Sequence, residues 1–176
     1  MTSRVRMTAV VGTAVLLVGL GAQRPAEAQR GANSLKADLL GLEEPPAVSS
    51  TGSGEFSAKV SQDGSSFEYV LSFERLEGTV TQSHIHIGQL SVNGGISVWL
   101  CGTATNPGPP GTPDCGGPNS GGATRVVTAA DVIGPAGQGI APAEFEELLT
   151  AMRQGATYAN VHSTKHTGGE IRGQIK

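Results

Sequence analysis

Cysteine is almost missing from this chain: its 176 residues include two, Cys101 and Cys115, against four histidines. There is no G-x-S-x-G elbow, no H-E-x-x-H pair and no phosphate-binding Gly/Lys loop, so nothing in the sequence supports hydrolase chemistry. No tandem repeat is visible, and no helical period is sustained until late in the chain. Positive charge is also short, with 12 Lys and Arg against 15 Asp and Glu. The one long apolar run, Met7 to Ala22, covers about 16 residues, fewer than the roughly 20 needed to cross a bilayer.

That run follows Arg4 and Arg6 and precedes Ala26-Glu27-Ala28, a small-x-small cleavage pattern. Residues 1–28 therefore read as a secretory signal peptide, and the mature chain is expected to be secreted or periplasmic, with no membrane insertion after signal removal. No cysteine stands near the cut to carry a lipid. About 148 residues remain (29–176), enough for one domain with a real core. Loss of Arg4, Arg6, Arg24 and Glu27 leaves a net charge of about −5, which argues against nucleic acid or an anionic membrane as partner. In an oxidising compartment Cys101 and Cys115 are expected to pair, closing a loop of about 14 residues worth roughly 3 kcal/mol. No thiol is then left as metal ligand or nucleophile.

What the chain does have is alternation. Phe56-x-Ala58-x-Val60, Phe67-x-Tyr69-x-Leu71-x-Phe73 after the turn Asp63-Gly64, Val80 to Ile87, Ile96 to Cys101, Arg125 to Ala129, Thr157 to His162 and Glu170 to Ile175 read as strands. The expected fold is all-β, a Greek-key-like antiparallel sandwich or barrel. One amphipathic helix is predicted at about 142–154, from Pro142 to a stop at Gly155, with Phe145, Leu148, Leu149 and Met152 forming a stripe against the sheet. Between Gly102 and Ala123 stand five prolines and seven glycines, a composition suited to neither helix nor strand. This loop, about 102–123, reads as an insertion tethered by the cysteine pair.

The histidines fall in phase. Side chains alternate across a strand, so in Ser83-His84-Ile85-His86-Ile87 the isoleucines take the core side and the two imidazoles share the other face, about 6.6 Å apart at the backbone. Downstream, Ala159 and Val161 alternate with Tyr158, Asn160 and His162, and Ile171 and Ile175 alternate with Glu170, Arg172 and Gln174. A hairpin turning through Ser163 to Gly169 puts His162 on the polar face too. If its strand neighbours the first, His84, His86 and His162 can meet at one metal ion. Three imidazoles without cysteine suit copper, with zinc second. Tyr158, Asn160 and Glu170 share that face and can orient the rings or add a ligand, and His166 in the turn is an optional fourth ligand. Arg172 is expected to form a partly exposed ion pair with Glu170; steering of an anion toward the metal is its alternative role.

The stretches "GLEEPPAVSSTGSGEF", "SHIHIGQLSVNGGISVWL", "MRQGATYANVHS" and "GGEIRGQI" together resemble the CHRD domain, named for repeats in chordin and widespread in bacterial exported proteins. The resemblance runs from about Ser34 to the C-terminus. It implies an extracytoplasmic β-rich module, with the motif histidines at His84, His86 and His162 and a terminal signature at Glu170, Arg172, Gly173 and Gln174. The Gly/Pro loop with its cysteines and His166 depart from the usual pattern. A second resemblance, limited to the H-x-H strand, a later V-H and an Arg near the C-terminus, is to the copper half of copper/zinc superoxide dismutase, without its zinc loop. Three readings follow: a non-catalytic binding module with a mononuclear copper site, a copper-dependent redox enzyme of superoxide-dismutase type, or a cell-envelope protein or polysaccharide interaction module without metal.

Overall fold

The computed structural model describes residues 33–176; the expected signal peptide lies outside them. Eight strands form one antiparallel sheet: β1 (Ser34–Leu40), β2 (Ser53–Val60), β3 (Ser66–Glu74), β4 (Val80–Ile87), β5 (Ile96–Cys101), β6 (Gly121–Thr128), β7 (Thr157–Ser163) and β8 (Ile171–Gln174). Their order is β5-β4-β7-β8-β1-β2-β3-β6. The end strands β5 and β6 approach each other, so the sheet rolls into a nearly closed barrel. β4, β5 and β6 then run side by side while β7 returns to pair with β4, which is a Greek key.

The alternation sets the inside. Phe56, Phe67, Tyr69, Leu71, Phe73, Ile85, Val98, Leu100, Val127, Ala159, Val161, Ile171 and Ile175 are all buried in one core. The Tyr69 hydroxyl donates to the Leu100 carbonyl, which satisfies the core's one polar ring substituent from β3. The helix α1 (Phe145–Arg153) lays its stripe of Phe145, Leu148, Leu149 and Met152 on this core, with Phe145 stacked on Phe67 at 5.7 Å. Each such side chain contributes about 2 kcal/mol by its burial.

Three local expectations need correction. Ser34–Leu40 is a full strand, with Leu35, Ala37 and Leu39 inward, although the sequence reading left it unassigned. The helix begins at Phe145 rather than Pro142, because Ala143 sits at φ 70°, in the left-handed region that a right-handed helix cannot contain. The last strand of the Gly/Pro region starts at Gly121, earlier than Arg125. The helix stop at Gly155 (φ 67°) is as expected.

Cys101 and Cys115 form a disulfide and are both fully buried. The loop they tether folds back across the outer face of β4 and β5. Thr103 Oγ1 donates to the Thr81 carbonyl at 3.2 Å, and the Asn106 amide donates to Gln82 Oε1. At Gly108 (φ 69°) a Cβ would stand 2.5 Å from Trp99 Cε3, so only glycine lets the chain lie this close to the indole.

Candidate metal centre

Cross-strand register places the site. β4 pairs with β7 so that His84 faces Asn160, His86 faces Tyr158 and Gln82 faces His162; β7 pairs with β8 so that Asn160 faces Arg172. On β4's other side His84 faces Trp99. All these side chains stand on the outer face, with Ile85, Ala159 and Val161 beneath them in the core. The strand phase expected for the three histidines is therefore realised.

The rings converge. Ring centroids are 5.1 Å apart for His84 and His162, 5.3 Å for His84 and His86, and 6.3 Å for His86 and His162. One ring nitrogen from each falls within 4.8 Å of the other two. The three could hold a metal ion.

This outer face is not a solvated one. His84 is 1% exposed, and His86 and His162 are each 7% exposed. The cover is made of connections: residues 41–52 between β1 and β2, residues 88–95 between β4 and β5, the disulfide loop over Trp99, and the turn 164–170. Asn93 Nδ2 donates to the Pro45 carbonyl at 3.2 Å, which joins the first two.

The cover also sets the tautomers. His86 Nδ1 lies 2.9 Å from the Gly94 carbonyl and His162 Nδ1 lies 3.0 Å from the Thr167 carbonyl. A carbonyl only accepts, so each Nδ1 carries the proton and each Nε2 keeps a lone pair. His86 Nε2 has no partner among the described residues. His162 Nε2 lies 3.1 Å from Asn160 Oδ1, an acceptor facing an acceptor, so that amide must present its NH2 end or turn aside when Nε2 takes an ion. His84 has no partner at either nitrogen and packs edge-on to Trp99, 4.4 Å between centroids.

Burial pushes the His84 imidazole down to about 2, and the neighbouring His162 and His86 push the same way. Burial takes His86 down to about 4, opposed by its bond to the Gly94 carbonyl. His162 is also lowered by burial, against the pull of the Thr167 carbonyl. All three rings are thus neutral at pH 7, the state in which imidazole binds a metal without first losing a proton.

The flanking residues divide into those that touch the centre and those that do not. Tyr158 stacks on His86, 4.8 Å between centroids and 2° from parallel, and its hydroxyl accepts from Gly94 N at 3.2 Å. Asn160 touches His162. Glu170, by contrast, is turned to the barrel's end, where its carboxylate accepts from Ser50 Oγ at 2.7 Å and from the backbone N–H groups of Glu77 and Gly78. Burial would raise its pKa, but hydrogen bonds from Ser163, Glu77 and Ser50 together hold it below the usual carboxylate value. His166 faces Glu77, with Nε2 3.9 Å from Oε2, and is not one of the three clustered rings.

The expected Glu170–Arg172 ion pair is absent among the described residues, and neither residue is partly exposed: they are 0% and 1% exposed. Arg172 lies over the Tyr158 ring, 3.3 Å from Cζ to centroid, and donates to the carbonyls of Gln89 and Val92 and to Asn93 Oδ1. A guanidinium so engaged locks the 88–95 cover in place and is not free to steer an anion. Glu170 and Arg172 part because Glu170 precedes β8, where its carboxylate reaches the Ser50 hydroxyl and the backbone N–H groups of Glu77 and Gly78.

Glu44 is the residue that sequence reasoning missed. It is 6% exposed, and Oε1 has no hydrogen-bond partner. Burial raises its carboxyl to about 7, against the attraction of Arg172 and a hydrogen bond with Asn160. Gly169 (φ 134°) makes room for it, since a Cβ there would collide with the carboxyl group. The only signal was an acid directly before Pro45-Pro46, in a stretch quoted for its family likeness.

No curated protein and no solved structure matches this chain. The CHRD domain matches residues 35–175, from β1 to the end of the barrel and through every residue of the cluster. Because that match takes in all eight strands, the chain belongs to the CHRD domain family.

Proposed function

We propose that this is an exported copper-binding module, holding one ion at His84, His86 and His162 and carrying out no turnover of its own. The supporting observation is that the cluster's buried imidazoles leave ring nitrogens without hydrogen-bond partners: His84 at both nitrogens, of which one keeps the ring's proton and the other a lone pair, and His86 at Nε2, which has a lone pair. An unsatisfied buried polar atom costs about 1–3 kcal/mol, and one lone pair each from His84 and His86, clustered within 4.8 Å of a His162 nitrogen, is best explained by a ligand that all three rings bind together. Three imidazoles with no thiolate are a donor set that suits copper and zinc alike, and copper is preferred because the cluster brings no fourth protein donor to complete a tetrahedral zinc site. The paired cysteines and the N-terminal sequence pattern support export.

Binding is preferred to catalysis because the rings are covered and Arg172 is spent on the cover. When bound, copper supplies a redox-capable Lewis acid; the chain's own groups fix its ligands, Gly94 and Thr167 by holding Nδ1 and Tyr158 by stacking on His86. Elemental analysis of protein purified from an oxidising compartment, followed by copper titration of wild type and of His84→Ala, His86→Ala and His162→Ala, tests the reading. One tightly held equivalent, lost in each variant, is expected. Equal copper retention in all four proteins would end it.

A further inference from the structure

The charges inside the cover bear on which copper ion the centre is built for. No carboxylate or thiolate joins the three imidazole nitrogens within their 4.8 Å cluster among the described residues. The nearest fixed charge held by the same stack is positive: Arg172 lies on Tyr158, and Tyr158 lies on His86. Glu170 is committed to Ser50 and two backbone amides elsewhere. Glu44, buried beside Asn160, can at most offset Arg172.

Resting on the copper reading above, we infer that the centre is a copper(I) site, three-coordinate and shielded from water. The cost of burying an ion grows with the square of its charge, so a divalent ion pays four times what a monovalent one pays in the same pocket, and neutral ligands return none of it by charge pairing. Coordination number points the same way. Copper(II) takes tetragonal sites and zinc takes tetrahedral ones, both asking for a fourth donor. The pocket supplies three imidazoles and a closed lid. Copper(I), with a filled d shell and no preference for a square plane, accepts three neutral nitrogens as they stand.

The inference separates two functions. A closed copper(I) site stores or carries reduced copper; a site that cycles between oxidation states needs room for a fourth ligand.

The test is a pair of competition titrations on the intact mature protein: copper(I) under anaerobic conditions against bicinchoninate, and copper(II) against nitrilotriacetate with electron paramagnetic resonance as readout. A preference for copper(I) over copper(II) of roughly a thousandfold is expected, which corresponds to a bound couple about 180 mV above that of the aqueous ions. Copper(II) bound as tightly as copper(I), with loss in the histidine variants, overturns this inference while leaving the metal centre standing. Failure to bind either ion overturns both. In Arg172→Met, provided circular dichroism shows a native fold, the copper(I) preference should narrow; an unchanged preference removes the guanidinium from the argument, and the wild-type titrations decide the rest.

Discussion

Glu44→Gln is the substitution whose effect follows most directly from the geometry, and it needs no metal. In the folded protein burial raises the Glu44 carboxyl from 4.5 to about 7. The folded state thus binds the proton more tightly than the unfolded chain, so Glu44 favours the fold below pH 4.5 and this contribution is lost as pH rises through 7. A shift of this size corresponds to roughly 3 kcal/mol between pH 4.5 and pH 8. Glutamine keeps the shape and a hydrogen-bonding end for Asn160 but carries no charge at any pH. The variant should match wild type near pH 4.5 and exceed it by about 3 kcal/mol at pH 8, measured by urea denaturation of metal-free protein across that range. Parallel pH profiles for the two proteins would refute the assignment of Glu44 as a buried carboxyl that is costly to ionise.

The same background exposes the histidines. In metal-free Glu44→Gln, stability should fall on acidification, because His86 in the unfolded chain protonates at 6.5 while the folded ring resists until about 4; a depressed base contributes above 6.5 and is lost toward 4, roughly 2–3 kcal/mol for His86 alone by pH 4.5, and a flat urea midpoint between pH 7 and 4.5 would contradict this. Trp99 is the chain's single tryptophan and touches His84, so one equivalent of copper(I), added anaerobically, should quench most of the intrinsic fluorescence while zinc leaves most of it, and copper(I) bound without quenching would place the ion elsewhere. Replacing Gly169 with Ala drives a Cβ against the Glu44 carboxyl at a φ of 134°, and a loss of about 2 kcal/mol or more is expected in thermal or urea unfolding. Copper-loaded protein should remove superoxide no faster than free copper at equal concentration, in a standard decay assay, since Arg172 is locked in the cover.

The period-2 pattern carried most of the barrel. Ile85, Val161 and Ile171 declare an inner face, and once they do, His84, His86, Asn160 and His162 are fixed on the other one without any tertiary knowledge. That logic reaches as far as phase and stops. Whether an outer face is wet depends on what the connections do, and residues 41–52, 88–95 and 102–115 carry no periodicity from which to read their path. The alternation alone therefore gives the histidines a polar face without its cover, Arg172 a partly exposed ion pair with Glu170 and the Gly/Pro loop the status of a tethered insertion. In the structure the loop lies on Trp99 through Gly108, a contact that depends on a missing side chain. β1 is legible in the alternation of Leu35, Ala37 and Leu39, whereas the break at Ala143 is not, since an alanine at φ 70° has no sequence signature.

The cover has a cost that binds it to the proposed function. Buried nitrogens without partners, a carboxyl oxygen of Glu44 without one, and a guanidinium held from water all weaken the metal-free fold. A domain under selection for stability alone would replace His84 and His86 with apolar residues, as their neighbours Ile85 and Val161 already are. A ligand that binds only the folded state returns the deficit as RT ln(1 + [L]/Kd), about 4 kcal/mol at a thousandfold excess over Kd. The metal-free protein should accordingly be the less stable form, and its cover the part that exchanges amide hydrogens first, at Gly94 and in the 164–170 turn. If copper left both the unfolding midpoint and the exchange at these amides unchanged, the orphaned nitrogens would be a tolerated defect rather than an unfilled coordination sphere.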